Sequence, residues 1–404
     1  MKKLLTIVLA TLFLLSVFAG CKSVLPQNQT PAVDTTDVFI GFLPEKTEEI
    51  QLQNFNRLSV ETIQAYQPGY SGYGTDVYFQ SLTEQEQTLY RIFQYALDQA
   101  QSCIFLDDRL LGGMGASIYD VLCCLALDNP MLEQNLNWTS MNVEYTVTIQ
   151  EGLGKQQVNK ITGTILQMDV FAKSKLDKKL EALQVAQQVV ADMPTDLTAV
   201  EKAEYFYRYL GENTQYFAPD GQTEPQDYLY DAFITRKTNC DGYANAYALL
   251  CHLVDIPCME KLYTPQDNQV GHTWNAILLD GVWYNVDATG SGEVLEKNVS
   301  MHGFCTSDAL QQYLPDYPDR IPPCDQNRIP VDCTITQESQ AGNQVKEAYI
   351  QAKQTNRNYV IAVFPDGAAS SNAMQNIADA LQRNISTRYY ITNTGAAVYY
   401  IFIG

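Results

Sequence analysis

The stretch Gly271-His272-Thr273-Trp274-Asn275-Ala276-Ile277-Leu278-Leu279-Asp280-Gly281-Val282-Trp283-Tyr284-Asn285-Val286-Asp287-Ala288-Thr289 decides the reading of this chain. Asp280-Gly281 between two apolar runs predicts a two-residue hairpin turn, because both central positions of such a turn need positive φ. In that register Leu279 faces Val282, Trp274 faces Asp287 and His272 faces Thr289. Side chains alternate along a strand, so His272, Trp274, Asp287 and Thr289 share one face. Ile277, Leu279, Val282, Tyr284 and Val286 share the other, the expected core side. His272 and Asp287 then become diagonal neighbours, roughly 7–8 Å apart between backbones and within side-chain reach. Asp287 can accept from one imidazole nitrogen and leave the other facing outward, which is the base-and-orienter pair that a thiol nucleophile needs.

A candidate nucleophile lies upstream, in Thr238-Asn239-Cys240-Asp241-Gly242-Tyr243-Ala244. From Asp241 to Leu253 the residues favour helix, with Ala244, Tyr247, Ala248 and Cys251 spaced to pack inward. Asp255-Ile256-Pro257 ends it. Cys240 is thus expected at a helix N-terminus, where unpaired N–H groups and the dipole favour an anion and so a nucleophilic thiolate. The same N–H groups could hold a developing oxyanion. Taken alone, Cys240 would read as an ordinary buried cysteine, and Cys251, Cys258 and Cys305 are read that way.

These blocks together resemble the transglutaminase-like domain. The resemblance rests on Cys240-Asp241-Gly242-Tyr243-Ala244, Asp255-Ile256-Pro257, His272-Thr273-Trp274-Asn275 and Trp283-Tyr284-Asn285-Val286-Asp287-Ala288-Thr289, with Phe304-Cys305-Thr306-Ser307-Asp308 fitting the bacterial pattern. Ala288 stands where the family usually has proline, and Asn239 where it often has glycine. The resemblance implies an α+β, papain-like core with a Cys240, His272, Asp287 triad and no cofactor or metal. It also implies attack of Cys240 on a carboxamide carbon, giving a thioester that water or an amine resolves. Tyr216 stands where the family can place an oxyanion donor. The substrate class so implied is a peptide, protein or cell-wall peptide; the alternative is a catalytically silent surface module that binds a peptide or glycan in the same cleft. Asn275 falls on the face opposite His272 and is read as structural, and His252 and His302 are read as surface residues or structural polar contacts.

Working outward, Thr198 and Glu201 form a capping box before an amphipathic stretch to Leu210, and Thr83 and Glu86 form another before Leu89, Ile92, Phe93, Ala96 and Leu97. Ile118 to Leu125 continues as helix and ends at Asp128-Asn129-Pro130, Val143 to Ile149 alternates as a strand, and Ser174 to Ala191 is a long helix. This makes residues 37–194 an α-rich mixed N-terminal domain without chemistry. Residues 195–333 are the thiol domain. Residues 334–404 read as a small α/β module: helices around Val345 to Ala352 and Met374 to Leu381, a strand over Tyr359 to Phe364, and a hairpin closed by Asn393-Thr394-Gly395.

The first residues carry an address. Lys2 and Lys3 precede a mostly apolar run from Leu4 to Phe18, too short to span a bilayer, and Ala19-Gly20-Cys21 follows. Phe18-Ala19-Gly20-Cys21 resembles a bacterial lipobox, which implies a signal peptide over 1–20, lipidation of Cys21, and a tether over 21–36. The expected location is the outer face of the bacterial cell membrane; the alternative is an ordinary secreted protein cut nearby. Of the 404 residues 26 are Lys or Arg against 46 Asp or Glu, a net charge of -20, so the chain has no cation surplus to release counterions and nucleic acid is not an expected partner. No Cys-x-x-Cys occurs and only three histidines do, which argues against zinc. Cys324 and Cys333 could close a short loop. Oligomeric state is not legible.

Overall fold

A computed structural model describes residues 37–41, 56–66, 73–99, 103–107, 112, 117–133, 145–151, 159–167, 173–217, 227–266, 271–289, 291, 303–328, 331–355 and 357–404. Cys21, the expected tether and His302 lie outside the described residues.

The N-terminal region holds a five-stranded sheet of order β2-β1-β3-β5-β4, built from β1 (Asp37–Gly41), β2 (Asn56–Ser59), β3 (Cys103–Asp107), β4 (Tyr145–Glu151) and β5 (Asn159–Gln167). The alternation before Ile149 predicts β4, but three of these strands lie earlier, where the sequence reads as helical. They are too short to show a period, from Cys103-Ile104-Phe105-Leu106-Asp107 in β3 to the mostly polar Asn56-Arg57-Leu58-Ser59 in β2. Helix α1 (Glu84–Asp98) opens with both bonds of the Thr83–Glu86 capping box, and α2 (Ile118–Asp128) with the same device on Ser117 and Asp120. A long helix, α3 (Lys173–Asp192), follows.

The central region begins with α4 (Ala199–Asn213), capped by Thr198 and Glu201 as the sequence predicts. Two short parallel strands, β6 (Gln215–Tyr216) and β7 (Lys237–Thr238), lead into α5 (Cys240–His252). Next comes an antiparallel sheet of order β11-β10-β9-β8, from β8 (Cys258–Tyr263), β9 (His272–Leu279), β10 (Val282–Val286) and β11 (Phe304–Thr306). The hairpin has the expected register: Leu279 pairs with Val282, Ile277 with Tyr284 and Asn275 with Val286. Its turn residues Asp280 and Gly281 have φ of 53° and 80°, the signature of a type I′ turn.

The face carrying Ile277, Leu279, Tyr284 and Val286 packs on Tyr243, Ala246, Tyr247, Leu249 and Leu250 of α5, together with Ala182, Ala186 and Phe206 of α3 and α4. Fully burying one such leucine contributes about 1.5–3 kcal/mol. The opposite face is not left to solvent. Met259 and Ala276 join Tyr78, Phe93, Leu122 and Leu125 of the N-terminal region in a second core, and the Tyr78 hydroxyl donates to the Glu260 carbonyl at 2.8 Å. Both faces of the sheet are therefore covered, which is why His272 to Leu279 reads as a nearly continuous apolar run.

The C-terminal module holds a third sheet of order β12-β13-β15-β14, from β12 (Cys333–Thr334), β13 (Tyr359–Phe364), β14 (Ile385–Ile391) and β15 (Ala397–Ile403). Helices α6 (Ala341–Gln354) and α7 (Ser371–Leu381) pack on one face through Val345, Ala348, Ala373 and Ile377. Cys324 and Cys333 do not bridge: Cys324 lies near the Lys261 ammonium at 3.5 Å and Cys333 sits in β12 beside Ala362.

Candidate active site

Cys240 is the first residue of α5 because Asn239 caps it: the Asn239 side-chain oxygen accepts from the Gly242 N–H at 3.2 Å, and its amide donates to Asp241 Oδ2 at 2.8 Å. The asparagine found where glycine is usual is thus the helix cap. Gly242 allows Thr238 to sit close, since a Cβ there would lie 1.8 Å from Thr238 Oγ1. First-turn N–H groups of Cys240 and Asp241 have no partner within the helix by its geometry, so they are available to an anion near the sulfur.

The helix is fixed against the sheet by polar contacts as well as by packing. Asn275 Nδ2 donates to the Ala244 carbonyl at 3.0 Å, and Asn245 Nδ2 to Glu260 Oε2 at 2.9 Å. Thr273 Oγ1 donates to Asp241 Oδ1 at 2.5 Å, which joins the first turn of α5 to the residue next to His272. Asn275 is therefore structural, as its face predicts. So is His252, buried with Nε2 2.6 Å from the Cys258 carbonyl oxygen.

His272 stands at the start of β9 and Asp287 just past the end of β10. Their side chains meet with Nε2 2.8 Å from Asp287 Oδ2. Asp287 Oδ1 accepts from the Thr289 N–H at 3.0 Å, and its own N–H donates to the Gly303 carbonyl at 2.7 Å. Cys240 lies near enough to add to the pull of Asp287 on the imidazole, and with Nε2 engaged by Asp287 the other ring nitrogen, Nδ1, is the one left to serve it. Burial works against a charged ring, but Asp287 beside it, reinforced by Cys240, pushes the His272 imidazolium up to about 10. Burial would likewise raise the Asp287 carboxyl, yet His272 and the Thr289 N–H hold it below the usual carboxylate range. At neutral pH the two side chains are therefore a charged pair.

Aromatic rings surround this group. The indole of Trp274 lies nearly parallel to the His272 ring at 5.9 Å, and Tyr313 is tilted against it at 5.1 Å while stacking on Tyr263 at 4.8 Å. The Tyr216 side chain is about half exposed, and its phenol is pushed up by partial burial and then by Cys240, Asp241 and Asp287. It stays protonated and can donate. The structure thus gathers Cys240, His272 and Asp287, with Tyr216 at their edge. Tyr313 is missed by the sequence reading, because it comes from an irregular segment in which no period or motif singles it out.

Beneath the site lies a sealed polar cluster. Lys261, 1% exposed, donates to Asn285 Oδ1 at 2.9 Å and to Asp308 Oδ1 at 3.0 Å. Trp274 Nε1 donates to the same Asn285 oxygen at 3.0 Å, and Asn285 Nδ2 to Asp308 Oδ1 at 2.9 Å. The indole that flanks His272 is therefore anchored from below.

Residues 183–288 match the family model of the transglutaminase-like superfamily. Kyphoscoliosis peptidase of Homo sapiens is 31% identical over 155 residues, which are 35% of this chain and 22% of the human protein. Its Mus musculus counterpart is 39% identical over 75 residues, 16% of this chain and 11% of the mouse protein. The chain thus spans only a small part of the length of either relative. Among solved structures, the periplasmic domain of TgpA from Pseudomonas aeruginosa is similar at 13% identity and a TM-score of 0.22, covering 37% of this chain and 69% of that one. The family match begins inside α3 and ends just past Asp287, so the stretch similar to the transglutaminase-like superfamily is a mixed helix-and-sheet region that takes in α5, the hairpin, Cys240, His272 and Asp287.

Proposed function

We propose that this protein is an exported, lipid-anchored thiol enzyme that hydrolyses or transfers amide-linked acyl groups of peptides, proteins or cell-wall peptides. The observation that carries the reading is the His272–Asp287 hydrogen bond beside Cys240, which stands at a helix N-terminus. In the proposed reaction the Cys240 sulfur attacks a carboxamide carbon, and the first-turn N–H groups of α5, with the Tyr216 hydroxyl, take the developing oxyanion. His272, which has taken the Cys240 thiol proton and is held charged by Asp287, gives that proton to the departing amine, which leaves a thioester on Cys240. The neutral ring then accepts a proton from water, releasing an acid, or from an amine that takes the acyl group. The peptidase name of the two relatives supports amide cleavage. Cys21 would carry the lipid, since two acyl chains make stable attachment where one does not.

The test is the rate of Cys240 alkylation by iodoacetamide at pH 7, followed by peptide mapping. The wild type is expected to react on the order of 100-fold faster than His272→Ala. Equal rates would sink the enzyme reading. Ammonia release from glutamine peptides, with and without an added primary amine, then separates hydrolysis from transfer. For the anchor, Cys21→Ser should abolish incorporation of an alkyne fatty acid.

A further inference from the structure

The C-terminal module carries no motif, yet its last hairpin reaches the segment that supplies Tyr313. Between β14 and β15 the chain turns through Thr392 to Ala396, closed by Thr392 N–H to the Ala396 carbonyl at 2.8 Å, with Gly395 at a φ of 87°. At its tip Asn393 faces the Asp308–Leu310 turn that follows β11. The Asn393 N–H donates to the Gln311 carbonyl at 2.9 Å, and its Nδ2 donates to the carbonyls of Asp308 and Gln311, each at 3.1 Å. Leu310 packs on Tyr359, Ile361, Val398 and Tyr400, the face of the third sheet that α6 and α7 leave bare. The Asp308 carboxylate is meanwhile held from the other side by Lys261, Asn285 and the Cys324 N–H. A segment pinned this way delivers Tyr313, two residues beyond Gln311, against the His272 ring. The same module also comes close to Asp287, whose charge, after burial, raises the Tyr390 phenol.

We propose that Asn393 is a positioning residue of the active site, fixing the turn at residues 308–311 so that Tyr313 holds the His272 imidazole in line between Asp287 and Cys240. The C-terminal module is then part of the catalytic unit and not an appended binding domain. This rests on the thiol-enzyme reading for its consequence, but not for its geometry. Tyr313 fills space that the ring would otherwise sweep, and a charged imidazolium gains from an aromatic neighbour. Small displacements of a reacting group are costly, since rates fall steeply with misalignment.

The experiment uses the described protein with three variants, Asn393→Ala, Tyr313→Ala and the double substitution, with two readouts. The first is the His272 ring-proton resonance, assigned by its loss in His272→Ala; the chain has three histidines. Loss of the Tyr313 ring current is expected to move it, and Asn393→Ala should move it the same way. The second is Cys240 alkylation, expected to slow by about three- to tenfold in Asn393→Ala. Adding Asn393→Ala to Tyr313→Ala should change neither readout further. Thr394→Ala, in the same turn but exposed, should leave both as in wild type. If Asn393→Ala does not fold, Asn393→Asp keeps the size and loses the same donor. An unmoved His272 resonance, effects that multiply in the double variant, or an equal effect of Thr394→Ala would overturn the proposal. Should Cys240 react no faster than in His272→Ala, the enzyme reading fails instead, and the resonance still decides the role of Asn393.

Discussion

His272–Asp287 and Lys261–Asp308 are both cation–carboxylate pairs raised on the β8–β11 sheet, and they are finished in different ways. At the His272 end, Asp287 takes one ring nitrogen and leaves the other for Cys240, which stands nearby at a helix N-terminus. In the interior, Lys261 meets Asn285, Asp308 and Cys324 and is sealed beneath Trp274. Similar electrostatics serve two ends: an imidazole with a second ring nitrogen to spare can move a proton, whereas a buried ammonium whose donors are taken by Asn285 and Asp308 holds structure. Trp274 joins them, stacked by the ring of one and anchored on the Asn285 of the other.

Removing either member of the interior pair tests its purely structural role. Asp308→Asn strands an ammonium that is 1% exposed and should cost about 3 kcal/mol in urea unfolding. Lys261→Met should cost less, about 1 kcal/mol, because the Asp308 side chain is 42% exposed and can regain water. Equal losses would mean that burial does not set the difference. At the His272 end the test concerns reactivity: Asp287→Asn is expected to slow Cys240 alkylation on the order of 30-fold.

The pH dependence sharpens the contrast. His272 is raised from 6.5 to about 10, so the stability it contributes is complete below pH 6.5 and is lost as pH climbs through about 10. The Asp287 carboxyl is lowered from 3.8, so its share is complete above that value and is lost on acidification. The stability advantage of wild type over His272→Ala should therefore be greatest near pH 5 to 6 and shrink towards pH 10, as followed by urea midpoints. A flat difference would contradict the charged pair. The smallest effect belongs to the far end of the hairpin. Gly281→Ala, at a φ of 80° with open space around the new methyl, should cost about 1 kcal/mol and leave alkylation unchanged.

Much of the site is legible in the sequence because it depends on local rules. Asp280-Gly281 sets a register, the register fixes which side chains share a face, and that brings His272 to Asp287 without knowledge of the rest. The helix-favouring run from Asp241 to Leu253 and its Asp255-Ile256-Pro257 stop locate α5 and so place Cys240 at its start. What escapes is non-local. Nothing in Lys261 announces a buried ammonium, because its partner Asp308 lies in another strand's sequel. Tyr313 follows no period, and Asn393 resembles any turn asparagine until its partners in the 308–311 turn are known. The second covered face of the sheet is hidden for the same reason, since its cover comes from helices more than a hundred residues earlier.

The grip of the β14–β15 turn on the 308–311 segment has a consequence in time. A chain made from its N-terminus presents Cys240, His272 and Asp287 well before the turn at Thr392–Ala396 exists. During that interval the nucleophile and its base are present without the tyrosine being held against them. On the proposed thiol chemistry, Cys240 of the nascent chain would react about three- to tenfold more slowly until that turn forms.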